Sequence, residues 1–346
     1  MTFRKVGSVQ LDDPATSSKP MGESPPTLRA KHMAKARISI GTWAYIFNQE
    51  EPTNNFHTIL HKLQDLGYDG VELGSFGPHP SPVSHPTKAS RAKLKKEIAD
   101  HGLALSAIAV DLWGFKTPGV SILDEIPAAY TTAFLGWCAF ASELDAGTIR
   151  VDSVLAPDYF SANEEGKKLG YEAGKDRLVK VWDKCSKLAA DFGLKVCWEF
   201  EPGFVFNKPT EILNIVDGVR GLGNDNFGVL YDTCHAHMVA KIGANQQGEK
   251  ELLAGGALEL LAKLKGKINH IHLIDSDGSL NEHNTSTHNP FKTGHLNFDE
   301  LLPAIQASGV PNDWWCVDLC FWPDAWAVTA DSKKFLDEMR KKYAAA

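Results

Sequence analysis

The sequence predicts an α/β fold, a single closed (β/α)8 TIM barrel over residues 37–346, preceded by a disordered N-terminal extension of residues 1–36. Two observations predict it. From Arg37 onward, short apolar runs alternate with longer stretches whose apolar residues recur at helical spacing. A repeated βα unit builds a parallel sheet, and eight such units close into a barrel. Acidic and histidine residues also recur at the C-terminal ends of the later apolar runs, the face of a barrel that carries chemistry. A doubly wound sheet would place a glycine-rich turn after its first strand, and no GxGxxG stands there.

The elements follow in order. Ile38–Trp43 reads as the first strand. Phe56–Leu66 is helical, with Phe56, Ile59, Leu60, Leu63 and Leu66 on one face and Gly67 as its stop. Tyr68–Leu73 is the second strand. Arg91–His101 is a basic amphipathic helix closed by Gly102, and Leu103–Val110 is the third strand. Ala128–Leu144 is helical and Gly147–Val151 is the fourth strand. Leu169–Phe192 is a long helix closed by Gly193, Leu194–Glu201 the fifth strand, and Pro209–Val219 its helix. Phe227–Asp232 is the sixth strand and Ala257–Leu264 a helix. Ile268–Leu273 is the seventh strand, Phe298–Ala307 a helix with Gly309 behind it. Trp314–Leu319 is the eighth strand, and Ala330–Lys342 the last helix. The segment before them is polar and proline-rich, as in Leu11–Pro20, and offers too little apolar surface to offset the entropy of ordering. It has no apolar core of a secretory signal.

Composition excludes some classes. No apolar run approaches the ~18 residues of a membrane span. A formal charge of -7 without a dense Lys/Arg stripe argues against a nucleic-acid backbone as partner. Six cysteines, none in a CxxC pair, behave as small hydrophobes, and a reducing, cytoplasmic setting is expected.

The chemistry is expected at four strand ends. Lys195–Gly203, Phe227–His235, Ile268–Asp275 and Trp314–Cys320 each run from apolar residues into a carboxylate or an imidazole. A buried charge is costly unless it is paired or holds a metal. Glu201, Asp232, His272 and Asp318 therefore read as three carboxylates and one imidazole around a divalent cation. Mn²⁺ is the leading candidate, with Mg²⁺, Co²⁺ or Zn²⁺ behind it. The alternatives are specific. Glu199, on the same strand face as Glu201, reads as the partner of a base. Asp318 would otherwise be half of a buried ion pair. His235 reads as a substrate contact beside the metal. Asp275 either orients His272, positions substrate or caps its loop, and Glu72 either binds a hydroxyl or meets a base. Trp43 and Trp113 lead a set of aromatic residues near strand ends, faces that stack on the C–H side of a sugar or cap the core.

These residues resemble the xylose isomerase-like barrel superfamily, the sugar phosphate isomerase/epimerase group, over roughly Ile38 to Leu336. The matching stretches are Gly70–Leu73, Glu201-Pro202, Asp232–His235, His270–Asp275 and Gly294–Phe298. The resemblance implies a metal held by Glu201, Asp232, His272 and Asp318, with Glu72 and His235 touching substrate. Asp318 stands where the family usually carries glutamate. The activity implied is a sugar isomerase or epimerase that abstracts a proton next to a carbonyl, with Glu201 and Asp318 as the proton-transferring residues. A lyase of 3-keto glycosides or C-glycosides is the alternative. An endonuclease IV-type nuclease and a non-catalytic carbohydrate-binding subunit rank below. A small sugar is the expected partner, with neither nucleic acid nor membrane, and a homo-oligomer paired through the active-face loops is in keeping with the group.

Overall fold

The computed structural model describes residues 35–47, 50–112 and 120–344. All but the last two residues of the expected disordered extension, and Trp113, lie outside them. Eight strands follow one another as β1 (Arg37–Ile40), β2 (Gly70–Gly74), β3 (Ala104–Ala109), β4 (Thr148–Val151), β5 (Lys195–Glu199), β6 (Phe227–Asp232), β7 (Ile268–Leu273) and β8 (Trp314–Val317). All neighbouring pairs are parallel, in the order β1-β8-β7-β6-β5-β4-β3-β2. The remaining seam closes through a parallel bridge between Gly41 and Glu72 and the bond from Asp69 N to Ile38 O at 2.9 Å. No helix of the described residues is long and apolar enough to cross a membrane.

The helices form the outer layer: α1 (Phe56–Asp65), α2 (Lys88–Asp100), α3 (Ala128–Glu143), the short α4 (Tyr159–Ala162) and α5 (Glu164–Leu169), α6 (Tyr171–Asp191), α7 (Pro209–Gly221), α8 (Thr233–His237), α9 (Gly256–Lys263), α10 (Phe298–Ala307) and α11 (Ala325–Ala344). Their starts are chemically marked. Asn55 accepts from Thr58 N ahead of α1, and Thr87 and Ser90 form a reciprocal capping box on α2. Apolar helix faces pack on the strands, as Ile59, Leu60 and Leu63 do in α1, each fully buried.

Several strand ends differ from the expected bounds, and two of the differences bear directly on the donors. β5 stops at Glu199, whose ladder partner on β6 is Leu230, so Phe200 and Glu201 lie beyond the sheet. β8 stops at Val317, so Asp318 also stands just past its strand. Register aligns the rest. Asp232 lies opposite His272, and His272 opposite Cys316, which brings the ends of β6, β7 and β8 to one level.

Candidate metal centre at the barrel mouth

The strand ends converge. Glu199, Asp232, His272 and Asp318 each bring one donor atom to within 4.8 Å of the others, and all four are buried. This set replaces the expected one at a single place. Glu201 is not in it, because β5 ends two residues earlier and the alternating face delivers Glu199 first.

His272 is held at both nitrogens. Nε2 lies 3.1 Å from Glu72 Oε1, while Nδ1 lies 2.9 Å from Glu199 Oε1 and 3.3 Å from Asp318 Oδ2. Glu72 is fully buried and also meets His270 Nε2 at 2.7 Å. Sequence reading offered Glu72 as a contact to a substrate hydroxyl or as the partner of a base. The structure places it beneath His272, where it orients that ring from behind, as carboxylates do behind metal-bound histidines.

The electrostatics are those of an acidic cage. Burial opposes ionisation of Glu72, but the charges of His272 and His270 hold it well below the usual carboxylate range. Burial likewise opposes the charge on Glu199, and Arg150 and His272 overcome it. Asp318 ends well below its ordinary range, against burial, with His288, His272 and the Trp43 N–H beside it. Asp232 goes the other way. Burial, then the charges of Asp318 and Glu199, push it well up. Its Oδ1 accepts from His235 N at 2.7 Å, capping α8, while its Oδ2 is buried with no hydrogen-bond partner among the described residues. An orphaned carboxylate oxygen among three other donors is what a cation would satisfy.

Above the donors lies a cavity of about 230 Å³. Trp43 forms part of its lining and donates from Nε1 to Asp318 Oδ1 at 2.9 Å. Arg150 also lines it, pairing with Glu199 at 2.6 Å and with Asp152 at 3.1 Å, its guanidinium 5.2 Å from the Trp43 ring. The loop after β7 folds back through antiparallel bridges, Asp275 to Asn289 and Leu280 to Ser286. It brings His283, Thr285, Ser286 and His288 to the mouth. Thr285 donates to Glu201, Ser286 meets His235 Nδ1 at 2.8 Å, and His288 lines the cavity. Both ring nitrogens of His288 are buried without a hydrogen-bond partner among the described residues. Burial lowers its pKa. Burial and His288 together lower His235 to about 3, so that imidazole is neutral near pH 7. Asp232, His235 and His288 also bring one donor each within 4.8 Å.

Glu201 lines the cavity wall. Burial, then Asp152 and Glu199, push its carboxyl up to about 8. Of the three roles sequence left open for Asp275, its contacts are those of the loop cap. Its carboxylate accepts from Ser276 N, Gly294 N and Leu296 N at 2.8, 2.9 and 3.0 Å, so it ties down the loop. The Gly294 turn has to be glycine, since a Cβ there would stand 2.4 Å from Asp275 Oδ1. Sequence reading gave no role to Arg150, Thr285 or His288. Arg150 was legible, as the lone charge in the apolar run Thr148–Val151. The two loop residues carried no periodic signal.

Comparison with known proteins agrees with this architecture. An inosose dehydratase of Histophilus somni (strain 129Pt) is 28% identical over 109 residues, 32% of this chain and 32% of that protein, so the match spans about a third of either. Among solved structures, a D-tagatose 3-epimerase-like protein superposes with a TM-score of 0.61 at 16% identity, covering 88% of this chain and 99% of its own. An IOLI protein solved with a zinc atom gives 0.60 at 18% identity, covering 88% and 96%. Residues 60–339 match the family described as Xylose isomerase-like TIM barrel, and the chain belongs to that family.

Proposed function

We propose that this chain is a divalent-metal-dependent enzyme of keto sugars that moves a proton at a carbon next to a carbonyl, as an isomerase or epimerase. The carrying observation is the convergence of Glu199, Asp232, His272 and Asp318 at the cavity floor, with Asp232 Oδ2 buried and without a hydrogen-bond partner among the described residues. Three carboxylates and one imidazole fit Mn²⁺, Mg²⁺, Co²⁺ or Zn²⁺. A cation held there would polarise a substrate carbonyl and its neighbouring hydroxyl, which makes the adjacent C–H more acidic.

The chain's own groups supply the rest. Glu72 fixes His272 so that its Nδ1 faces the other donors. Trp43 fixes Asp318. Trp43, Phe76 and Phe204 give the cavity apolar walls, suited to the C–H face of a sugar. His288, whose ring nitrogens have no hydrogen-bond partner among the described residues, is placed to accept the proton and, once protonated, to return it, while Asp318 stays ionised among the donors. A proton returned to the opposite face of the same carbon is epimerisation, and one returned to the next carbon is isomerisation.

A second reading, elimination by a lyase, is favoured by Glu201. Its carboxyl sits on the wall outside the donor group, bonded to Thr285, and keeps its proton near neutral pH. That arrangement suits a donor to a departing β-hydroxyl or glycosidic oxygen better than the proton-removing role expected from sequence.

The test is turnover in D₂O on ketohexoses, keto-inositols and 3-keto glycosides, with products read by NMR. Deuterium at a carbon next to the carbonyl is expected, with retention of the hydroxyl for the first reading and its loss for the second. Glu199→Gln and Asp232→Asn are expected to lose metal and at least 100-fold in rate. Glu201→Gln is expected to keep metal and lose rate alone. Elemental analysis of the three variants checks the split. A metal-loaded protein that exchanges no deuterium on the whole panel overturns both readings.

A further inference from the structure

Outside the mouth, three histidines meet between two outer helices. His57 and His61 are one turn apart on α1, and His101 caps the C-terminal end of α2. None of them lines the mouth cavity. One nitrogen of each lies within 4.8 Å of the others. His57 Nε2 and His61 Nε2 are 3.1 Å apart. The His61 ring centroid is 4.5 Å from those of both His57 and His101, and each pair of rings stands nearly perpendicular.

The outer nitrogens show which way the rings are set. His57 Nδ1 faces Glu97 Oε1 at 2.8 Å, and His101 Nδ1 faces the Glu97 carbonyl oxygen at 2.8 Å. Both of these partners are acceptors, so both Nδ1 atoms carry the proton. In neutral imidazoles that leaves Nε2 of His57 and of His101 as lone pairs. One glutamate thus fixes two rings, through its side chain and its backbone, with their acceptor nitrogens on the His61 side. Oriented histidines backed by a carboxylate and a carbonyl are the usual surroundings of a metal-binding imidazole. Tetrahedral zinc with N at about 2.0–2.1 Å sets its nitrogens roughly 3.3 Å apart. The cluster is already near that spacing between His57 and His61.

We propose that His57, His61 and His101 form a second metal site, for a first-row transition-metal ion of the zinc class. The ion would bridge the start of α1 to the end of α2, with solvent in its fourth position. The all-nitrogen donor set distinguishes it from the oxygen-rich mouth. Imidazoles suit zinc, nickel or copper, whereas magnesium and calcium require oxygen ligands. The reading is independent of the barrel mouth, since no residue is shared.

The experiment is equilibrium dialysis of the untagged, metal-stripped full chain against Zn²⁺, followed by elemental analysis, on wild type, His61→Ala, Glu97→Gln and Asp232→Asn. His61 is exposed, so its replacement should leave the metal-free fold and Tm unchanged. Wild type is expected to bind one equivalent more than His61→Ala. Asp232→Asn should keep the His61-dependent equivalent, and Zn²⁺ should raise its Tm, an effect lost in the Asp232→Asn/His61→Ala double variant. Glu97→Gln should weaken that equivalent by about 10–100-fold. Mg²⁺ should not fill it. Equal zinc stoichiometry in wild type and His61→Ala overturns the site. An unchanged affinity in Glu97→Gln overturns the orienting role given to Glu97.

Discussion

Glu199 and Glu201 differ by two positions and share a strand face, yet the structure gives them opposite electrostatic characters. Glu199 is held ionised against burial by Arg150 and His272, and Glu201 is pushed up to about 8 by burial, Asp152 and Glu199. The consequence can be measured on stability. Glu201 binds its proton more tightly in the folded chain than in the unfolded one, where its value is near 4.5. Its contribution is therefore fully present below about 4.5 and is lost as pH rises towards about 8. Gln at 201 stays neutral throughout. In metal-free protein, the unfolding free energy of wild type relative to Glu201→Gln should fall steadily across that window and level off above it. Parallel curves would mean that Glu201 ionises normally in the folded chain. Alternation told from sequence that both glutamates face inward. It did not tell where β5 leaves the sheet, and that boundary decides which of them joins Asp232, His272 and Asp318. Glu72 was ambiguous for a similar reason, since its partners His270 and His272 come from a strand about 200 residues away in sequence.

Elements were more legible than residues, because a helix is written in periodicity and in its stops. Gly67, Gly102, Gly193 and Gly309 follow helices and adopt positive φ, as their stop role requires. Sequence missed the short helices α4 and α5, and also α8 and the π turn at Met238–Ile242, which lack an apolar period of their own and start from the Asp232 cap. The same Asp232 carboxylate thus positions an element with one oxygen and faces the donor cluster with the other. β1 shows how an element sets the floor of the site. It ends at Ile40, and Gly41 turns the chain into a single 3₁₀ turn carrying Trp43. A Cβ at 41 would stand 2.2 Å from the Trp43 ring. Gly41→Ala must therefore displace the indole that donates to Asp318. Overpacking of this kind costs about 1–3 kcal/mol, and a 1 Å displacement near reacting groups can cost about 100-fold in rate. A lowered Tm together with weaker metal binding is expected. Wild-type turnover in this variant would show that Trp43 does not place Asp318.

The whole molecule depends on closing the barrel, and its seam is the joint with the fewest ladder bonds. β1 pairs with β8 over four residues, whereas β1 and β2 meet through the Gly41–Glu72 bridge and one backbone bond near the opposite end. Asp69 reinforces that end. Its Oδ2 accepts from Ile38 N at 2.9 Å and from Arg340 Nη1 at 3.0 Å, and the same Nη1 donates to Ala36 O at 3.1 Å. One partly exposed carboxylate thus joins β1, the turn into β2 and the last helix, α11. Eight-fold closure was predictable from the repeat, but this clasp was not, because its partners are separated by 271 positions. Asp69→Ala removes an acceptor from a part-buried backbone N–H and from Arg340. A loss of about 1–3 kcal/mol is expected. Asp69→Asn keeps an acceptor for Ile38 N but not the charge, and should lose less. Denaturant unfolding of the two variants measures the clasp. Their metal content should match wild type, since the clasp lies at the end of the strands away from the donors. If Asp69→Ala instead loses metal along with stability, the seam and the mouth are coupled through β1, by way of Gly41 and Trp43.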